Sequence, residues 1–531
     1  MPTLNWIGKE KVVTHHNDVP YRVLDHKYDY GTPNPTSTEN GEADNMIIHG
    51  DNLEALKALL PKYEGQVDCI YIDPPYNTGN EKWVYNDNVN DPHIRKWLGQ
   101  VVGPEAEDLT RHDKWLCMMY PRLVLLQKLL APTGAIFISI DDNEQANLKL
   151  ICDEIFGAGN FVSCFIWHKK VRPSNKLVDK ERNASLGISL NTEYVLCYAQ
   201  HKENVLFSID EIDNNYIKRT YRNPDNDERG LWRTAPLWAE SNSNKEKTLI
   251  LKDGTPLTKK WFINQETLDR LYAEDLIYQA KNSLSKKIYL SEATGQAQMN
   301  LLEADLYGTS EEGTKEYKQI TGSANFTNPK PVRLIEHLTH LLHNKKNALI
   351  LDSFAGSGTT AHAVLNLNKQ DGGHRRFILC EMCDYAETIT AERVRRVIDG
   401  YGEGNKAVEG TGGSFAYYEL GEPIFVGEKL NEAVDTEQLR EYIWYCETHQ
   451  TYAKNTERSA NAYHLGNYNE VGYYFYYEKD KVTTLDKAFL NIITARAEQY
   501  IIYADNCLLS DDFMRKNNIV FKKIPRDIRN F

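Results

Sequence analysis

The chain has 531 residues, 41% hydrophobic and 26% charged, with a formal net charge of −13. That length suits roughly two to four domains of ordinary size, and no apolar run reaches the ~18 residues that would suggest a membrane span. The acidic balance excludes a protein whose whole surface grips nucleic acid, but a local basic groove stays open, because phosphates feel charge only within about a Debye length.

Residues 1–44 are polar and turn-rich and read as an irregular arm, and the opening residues lack the apolar core of a signal peptide. MIIHG (46–50) reads as a short buried strand. A helix follows through DNLEALKALLP, capped by Asp51 or Asn52, with Leu53, Leu56, Leu59 and Leu60 at helical spacing. VDCIYI (67–72) is the next buried strand and runs straight into Asp73, Pro74, Pro75 and Tyr76. Residues 81–112, rich in Asn, Asp, Gly and Trp, read as a long functional loop. A helix is expected over about 113–130, kinked or restarted at Pro121. GAIFISI (134–140) is a strand, NEQANLKLICDEIFG a helix, and FVSCFIWHK and EYVLCYA two further strands. The stretch 168–176, HKKVRPSNK, is basic and free of acids.

From about 201 to 325 the strand–helix alternation breaks, which marks an insert. It resumes over 326–405, with a helix in PVRLIEHLTHLLH, a strand in ALILD (348–352), a helix in TTAHAVLNLNKQ and a strand in RRFILCE (375–381). A Gly-rich linker at 402–413 leads to a small α/β domain filling the remainder, 406–531, with a hairpin turning near Lys479 and Asp480 and a helix over 487–498. The core is therefore an α/β sheet with helical crossovers, split into 45–200 and 326–405. Nine scattered cysteines imply reduced thiols and a cytoplasmic setting. Cys380 and Cys383 have metal-like spacing, but a second pair is lacking, so no metal site is expected.

Two stretches carry chemistry. LDSFAGSGTTA (351–361) is a strand end, a Gly-rich turn and a helix start, where Gly356 and Gly358 let backbone approach a ligand beside a helix N-terminus. A phosphate-binding P-loop would need lysine where Gly358 stands, so ATP hydrolysis is disfavoured. Asp51, Asp73, Asp352 and Glu381 lie at or just past strand ends, where open α/β sheets hold ligands, and Glu381 suits ribose hydroxyls.

DPPY (73–76) together with FAGSGT (354–359) resembles the signature of S-adenosylmethionine-dependent amino-methyltransferases that act on DNA. The DPPY form resembles the adenine-N6 enzymes, and its place before FAGSGT resembles their β class. IHGDNLEALKALL, DPPYNTGN, NPKPVRLIEHL and FKKIP are similar to modification subunits of type III restriction–modification systems. The resemblance implies a Rossmann-like methyltransferase sheet with circularly permuted motif order, and makes the insert a target-recognition domain. It implies S-adenosyl-L-methionine as cofactor without a metal. As partners it implies double-stranded DNA, a second copy of the chain and a separate restriction subunit, with no membrane. In that chemistry the Asp73 carboxylate and the Pro74 carbonyl accept the two N–H groups of the target amine, which frees its lone pair. Pro75 holds residue 74 extended, and Tyr76 stacks on a flipped base.

By the same resemblance Asp51 contacts the cofactor adenine and Glu381 its ribose. Asp352, Phe354, Ala355, Gly356, Ser357, Gly358 and Thr359 surround its methionine end, and Lys330 approaches it. Trp167 or His168 could form the other wall of the base pocket, and Asn244, Lys245, Lys247, Lys259 and Lys260 are candidate base readers in the insert. Three alternatives stay open: a cytosine-N4 methyltransferase, an RNA methyltransferase, and a DNA-specificity subunit with an inactive core. Cytosine-C5 chemistry is disfavoured because no Pro-Cys pair supplies its nucleophile.

Overall fold

The computed structural model describes residues 3–32, 45–78, 110–171, 190–209, 212, 214–240, 243–280, 283–342, 345–453 and 461–526. Most of the expected loop at 81–112, and the basic stretch beyond Val171, lie outside these residues. The chain divides into two compact units, Met1–Phe207 with Asn300–Phe531, and Ser208–Met299.

The first unit is built on a ten-stranded sheet. Its strands, in chain order, are β1 (Arg22–Gly31), β2 (Met46–His49), β3 (Val67–Ile72), β4 (Leu130–Ile140), β5 (Phe161–His168), β6 (Thr192–Ala199), β7 (Leu301–Leu302), β8 (Leu349–Asp352), β9 (Arg376–Glu381) and β10 (Ser414–Pro423). The spatial order is β1-β10-β2-β9-β8-β3-β4-β6-β5-β7. Strands β10, β2, β9, β8, β3 and β4 run parallel, while β6 is antiparallel to both β4 and β5. Such a parallel core must be covered on both faces, and the alternation along its strands does this. Ile70, Ile72, Ile136, Ile138 and Leu351 face one apolar core, with helices α1 (Asn52–Tyr63), α2 (Arg111–Leu129) and α3 (Gln145–Cys152). Cys69, Tyr71, Phe137 and Ile350 face the other, with α4 (Ser310–Thr321), α5 (Val332–His340), α6 (Thr359–Asp371) and α7 (Glu392–Asp399). Helix α1 is capped by Asp51, whose side chain accepts from Leu53 N at 2.8 Å. Helix α2 continues through Pro121 without restarting.

Several sequence expectations are corrected. The arm at 1–44 is not all irregular, because β1 forms an edge strand paired antiparallel to β10. Its Tyr28 and Tyr30 stack on Tyr417 and Phe415. The second unit is narrower than the 201–325 insert. Residues 300–325 return to the first unit, where β7 extends the sheet beside β5 and Ile320 of α4 enters the core. The C-terminal region is not wholly separate past the linker, since β10 lies inside the large sheet between β1 and β2. The rest of that region holds a four-stranded sheet. Its hairpin joins His464–Tyr468 to Val471–Phe475 and turns at Asn469 and Glu470, both at positive φ. At Lys479–Asp480 there is only a single bridge, Glu478 to Lys481. The expected helix at 487–498 is one turn, Lys487–Leu490, capped by Asp486.

The second unit has a three-stranded antiparallel sheet (Trp232–Pro236, Ser283–Tyr289, Ile277–Ala280), a hairpin (Lys247–Ile250, Pro256–Lys259) and a helix (Gln265–Ala273). Leu237, Leu249, Trp261, Leu268, Leu271 and Leu284 form its core. Among the candidate base readers, Lys247 pairs across the hairpin with Lys259. Lys259 bonds Glu240 at 3.0 Å, and Asn244 bonds the Trp261 carbonyl at 2.9 Å.

Candidate active site

Strands β3 and β8 are direct neighbours although about 280 residues separate them in sequence. Their carboxyl ends therefore open side by side, and Asp73 follows one while Asp352 ends the other. One cavity of about 250 Å³ spans both ends. It is lined on one side by Asp73, Pro74 and Tyr76, on another by Asp352, Phe354, Ala355, Gly356, Ser357 and Thr359, and between them by Lys330. These are ten of the fourteen catalytic and cofactor candidates read from the sequence.

The double-proline corner is held from behind. The Trp115 indole on α2 donates to the Pro75 carbonyl at 2.7 Å. Among the described residues none donates to the Pro74 carbonyl. Asn77 turns the chain at a φ of 59°. Its side chain donates to the buried Glu144, which also pairs with His112 at 2.7 Å. The corner's geometry is thus imposed by α2 and by the start of α3.

The glycine turn is braced from below. Gly356 and Gly358 both take positive φ, 51° and 78°, where a side chain costs about 1–2 kcal/mol. A Cβ at Gly358 would also meet the Thr390 carbonyl at 3.1 Å. Glu381 accepts from the amides of Gly356 at 2.8 Å and Cys383 at 2.9 Å. The buried Arg393 of α7 donates to Ser357 Oγ at 2.9 Å and Thr359 Oγ1 at 2.7 Å. Asp352 accepts from Phe354 N at 3.0 Å and from the Thr360 hydroxyl. Burial pushes its carboxyl up to about 7, and it does the same in direction to Glu381.

In the middle of the cavity Lys330 Nζ lies 2.8 Å from each Asp73 oxygen and from the Tyr76 hydroxyl, and 3.5 Å from Glu193. Burial disfavours the Lys330 charge, but Asp73 and Glu193 outweigh it and raise the pKa. Glu193 is also disfavoured by burial, yet Lys330 and Lys169 hold it below the usual glutamate range.

Pro75, Gly358, Asp51 and Glu381 do not line the cavity. Pro75 and Gly358 shape its walls from within the backbone, and Glu381 braces the turn. Asp51 caps α1 and bonds Arg122 at 3.2 Å. Trp167 is buried, with its indole on the Gly308 carbonyl at 2.9 Å, and neither it nor His168 lines the cavity. Sequence reasoning missed Glu193, Asp141, Phe326 and Thr327, all of which do, and gave no site role to Lys169, Asn328 and Pro329, which lie in stretches it singled out and line the cavity too. Asp141, just past the end of β4, follows the same strand-end rule that picked out the other acids. Glu193 enters at the start of the antiparallel β6, and only the strand order brings it here.

Residues 67–392 match the family model described as DNA methylase. The chain belongs to the DNA methylase family. Its match to the type III restriction-modification enzyme StyLTI Mod subunit of Salmonella typhimurium (strain LT2) is 36% identical, covering 73% of this chain and 62% of that protein. The EcoPI Mod subunit of Escherichia phage P1 is 33% identical over 71% of this chain and 62% of its own length. The type II methyltransferase M.KpnI of Klebsiella pneumoniae is 32% identical over 63% of this chain and 80% of its own length. The chain thus spans about three fifths of the Mod subunits it matches.

Proposed function

We propose that the chain is a site-specific DNA methyltransferase that transfers methyl from S-adenosylmethionine to adenine N6 in double-stranded DNA. We further propose that it serves as the modification subunit of a type III restriction–modification system, working as a dimer beside a separate restriction subunit. The observation that carries this reading is the single cavity joining the Asp73–Tyr76 corner to the glycine turn. The similarity to Mod subunits supports the type III assignment.

The residues present fit such a donor. Carboxylates suit its cationic groups, the turn has no Cβ at Gly356 or Gly358, and the buried Thr78 hydroxyl lacks a partner among the described residues while lining the cavity. Asp352, Phe354, Ser357 and Thr359 would hold the amino-acid end. When bound, the donor supplies a methyl on a sulfonium, which needs no activation. The chain's own residues prepare the acceptor. Asp73 and the Pro74 carbonyl accept the amine's two N–H groups and localise its lone pair, and the Tyr76 ring offers a stacking face worth about 1–3 kcal/mol. Catalysis then rests on positioning and electrostatics. A base inside a duplex cannot reach this cavity, so flipping is required. The unit Ser208–Met299 serves as the base reader, with Asn244, Lys245, Lys247, Lys259 and Lys260 as candidates.

Single-molecule sequencing of DNA from a host expressing the chain tests the reading, because it reports the modified base and its context together. Nucleoside mass analysis separates N6-methyladenine from N4-methylcytosine. Asp73→Ala is expected to lose transfer while still binding S-adenosylhomocysteine; parental transfer by that variant would remove Asp73 from the chemistry.

A further inference from the structure

The Lys330 ammonium sits where the proposed chemistry needs the target amine. It bonds both oxygens of Asp73, and it lies 4.9 Å from the centre of the Tyr76 ring. An incoming amine and this ammonium cannot both hold the carboxylate in the same way. Lys330 is only 9% exposed, so once displaced it has little water to turn to, and a buried charge without a counter-ion is costly. A second carboxylate is already within reach, Glu193 Oε2 at 3.5 Å from Nζ. The Tyr76 hydroxyl links the two groups, since it accepts from Lys330 at 2.8 Å and donates to Glu193 at 3.1 Å. Lys169 fixes the far oxygen of Glu193 at 3.0 Å.

We infer that Glu193 is a positioning residue that receives the Lys330 ammonium when the target amine enters, so that Asp73 can accept the amine without stranding a buried cation. The exchange moves no proton and leaves the net charge of the cavity unchanged. Glu193 Oε2, at 3.5 Å, is less than about 1 Å beyond ion-pair hydrogen-bond distance of Nζ, so the Lys330 side chain can swing onto it without a move of the backbone. Lys330 stays cationic in both positions, as an anion faces it in each. The inference rests on the methyltransferase reading above.

The test is methyl transfer to duplex DNA carrying the mapped site by the wild type, Glu193→Gln, Lys330→Met and the double variant. Glu193→Gln should lower kcat by about tenfold or more while leaving S-adenosylhomocysteine affinity within about twofold. On the Lys330→Met background the same change should cost less than about threefold, because the cation it receives is gone. Where Lys330→Met leaves too little turnover, 2-aminopurine fluorescence at the target position reads base capture with the same expected non-additivity. Should Glu193→Gln fail to fold, Glu193→Met made on Lys330→Met removes both charges together; transfer at the level of Lys330→Met supports the exchange, and a tenfold further loss refutes it. Equal costs in the two backgrounds, or full kcat in Glu193→Gln, overturn the inference alone. A wild type that methylates no DNA overturns the reading beneath it as well.

Discussion

Trp115→Phe separates the support of the Asp73–Tyr76 corner from the support of the fold. Trp115 is fully buried, and its indole N–H is the donor to the Pro75 carbonyl at 2.7 Å. Phenylalanine removes that donor and leaves a buried carbonyl unpaired, a cost of about 1–3 kcal/mol. The smaller ring also leaves a void of some tens of Å³, worth about 1 kcal/mol. Together these predict a loss of about 2–4 kcal/mol in urea denaturation. The peptide released is the one next to the Pro74 carbonyl, so turnover should fall as well. A misplacement of about 1 Å at a reacting group can cost about a hundredfold, and a partial release predicts a kcat reduced about 10–100-fold at saturating donor. Leu123→Ala is the control. Leu123 is buried on the same helix, and its truncation costs about 2–5 kcal/mol without touching the corner. Radiolabelled methyl transfer, measured where both variants are folded, decides the matter. If Trp115→Phe and Leu123→Ala turn over alike, the indole bond plays no part in positioning the corner.

Other expectations are independent of that one. Burial holds Asp352 up near about 7 in the fold, against ~3.9 in an unfolded chain. Folding therefore takes up a proton, and the stability this contributes is fully present below pH ~4 and lost as pH rises through about 7. Between about pH 5 and 6 the unfolding free energy should carry a downward slope of up to about 1.4 kcal/mol per pH unit that Asp352→Asn removes; identical slopes would contradict the assignment. Gly358→Ala places a side chain at a φ of 78° against the Thr390 carbonyl. It should cost about 1–2 kcal/mol and weaken S-adenosylhomocysteine binding in calorimetry, and unchanged affinity would show that the turn tolerates a Cβ. In the C-terminal region the buried Asp505 pairs with Arg526 at 2.6 Å through both oxygens. Asp505→Ala should destabilise by about 3–5 kcal/mol, because it removes the buried carboxylate that the guanidinium grips with two nitrogens; a melting curve matching wild type would mean that Glu432 at 3.5 Å and the backbone carbonyls already hold the cation.

Local chemistry was readable from the chain itself. The strand in VDCIYI, the turn forced by Pro74 and Pro75, and the glycine turn before Thr359 each follow from short-range sterics and apolar runs, and they appear where expected. Asp51, Asp73, Asp352, Glu381, Gly356 and Gly358 followed from one rule, that acids and glycines past parallel strand ends face a ligand, and the other candidates came from the family resemblance. The errors came where the signal was weak or non-local. In strand β1 register shifts at Arg22/Leu24 and His26/Tyr28 put Val23 out of phase with Tyr28 and Tyr30, which meet Tyr417 and Phe415, and its polar residues hid it further. Strand β10 could not be assigned to the large sheet from its own residues, because its neighbours are chosen across hundreds of positions.

Sequence alone therefore determined the local shape of two pieces that line the cavity, the double-proline corner and the glycine turn, since both depend on backbone constraints within a few residues. Only the tertiary structure decided that β3 and β8 lie side by side, that Lys330 enters between them, and that Glu193 stands opposite. Strand pairing is a choice among distant partners made by the burial of whole faces, and no single stretch of chain contains it.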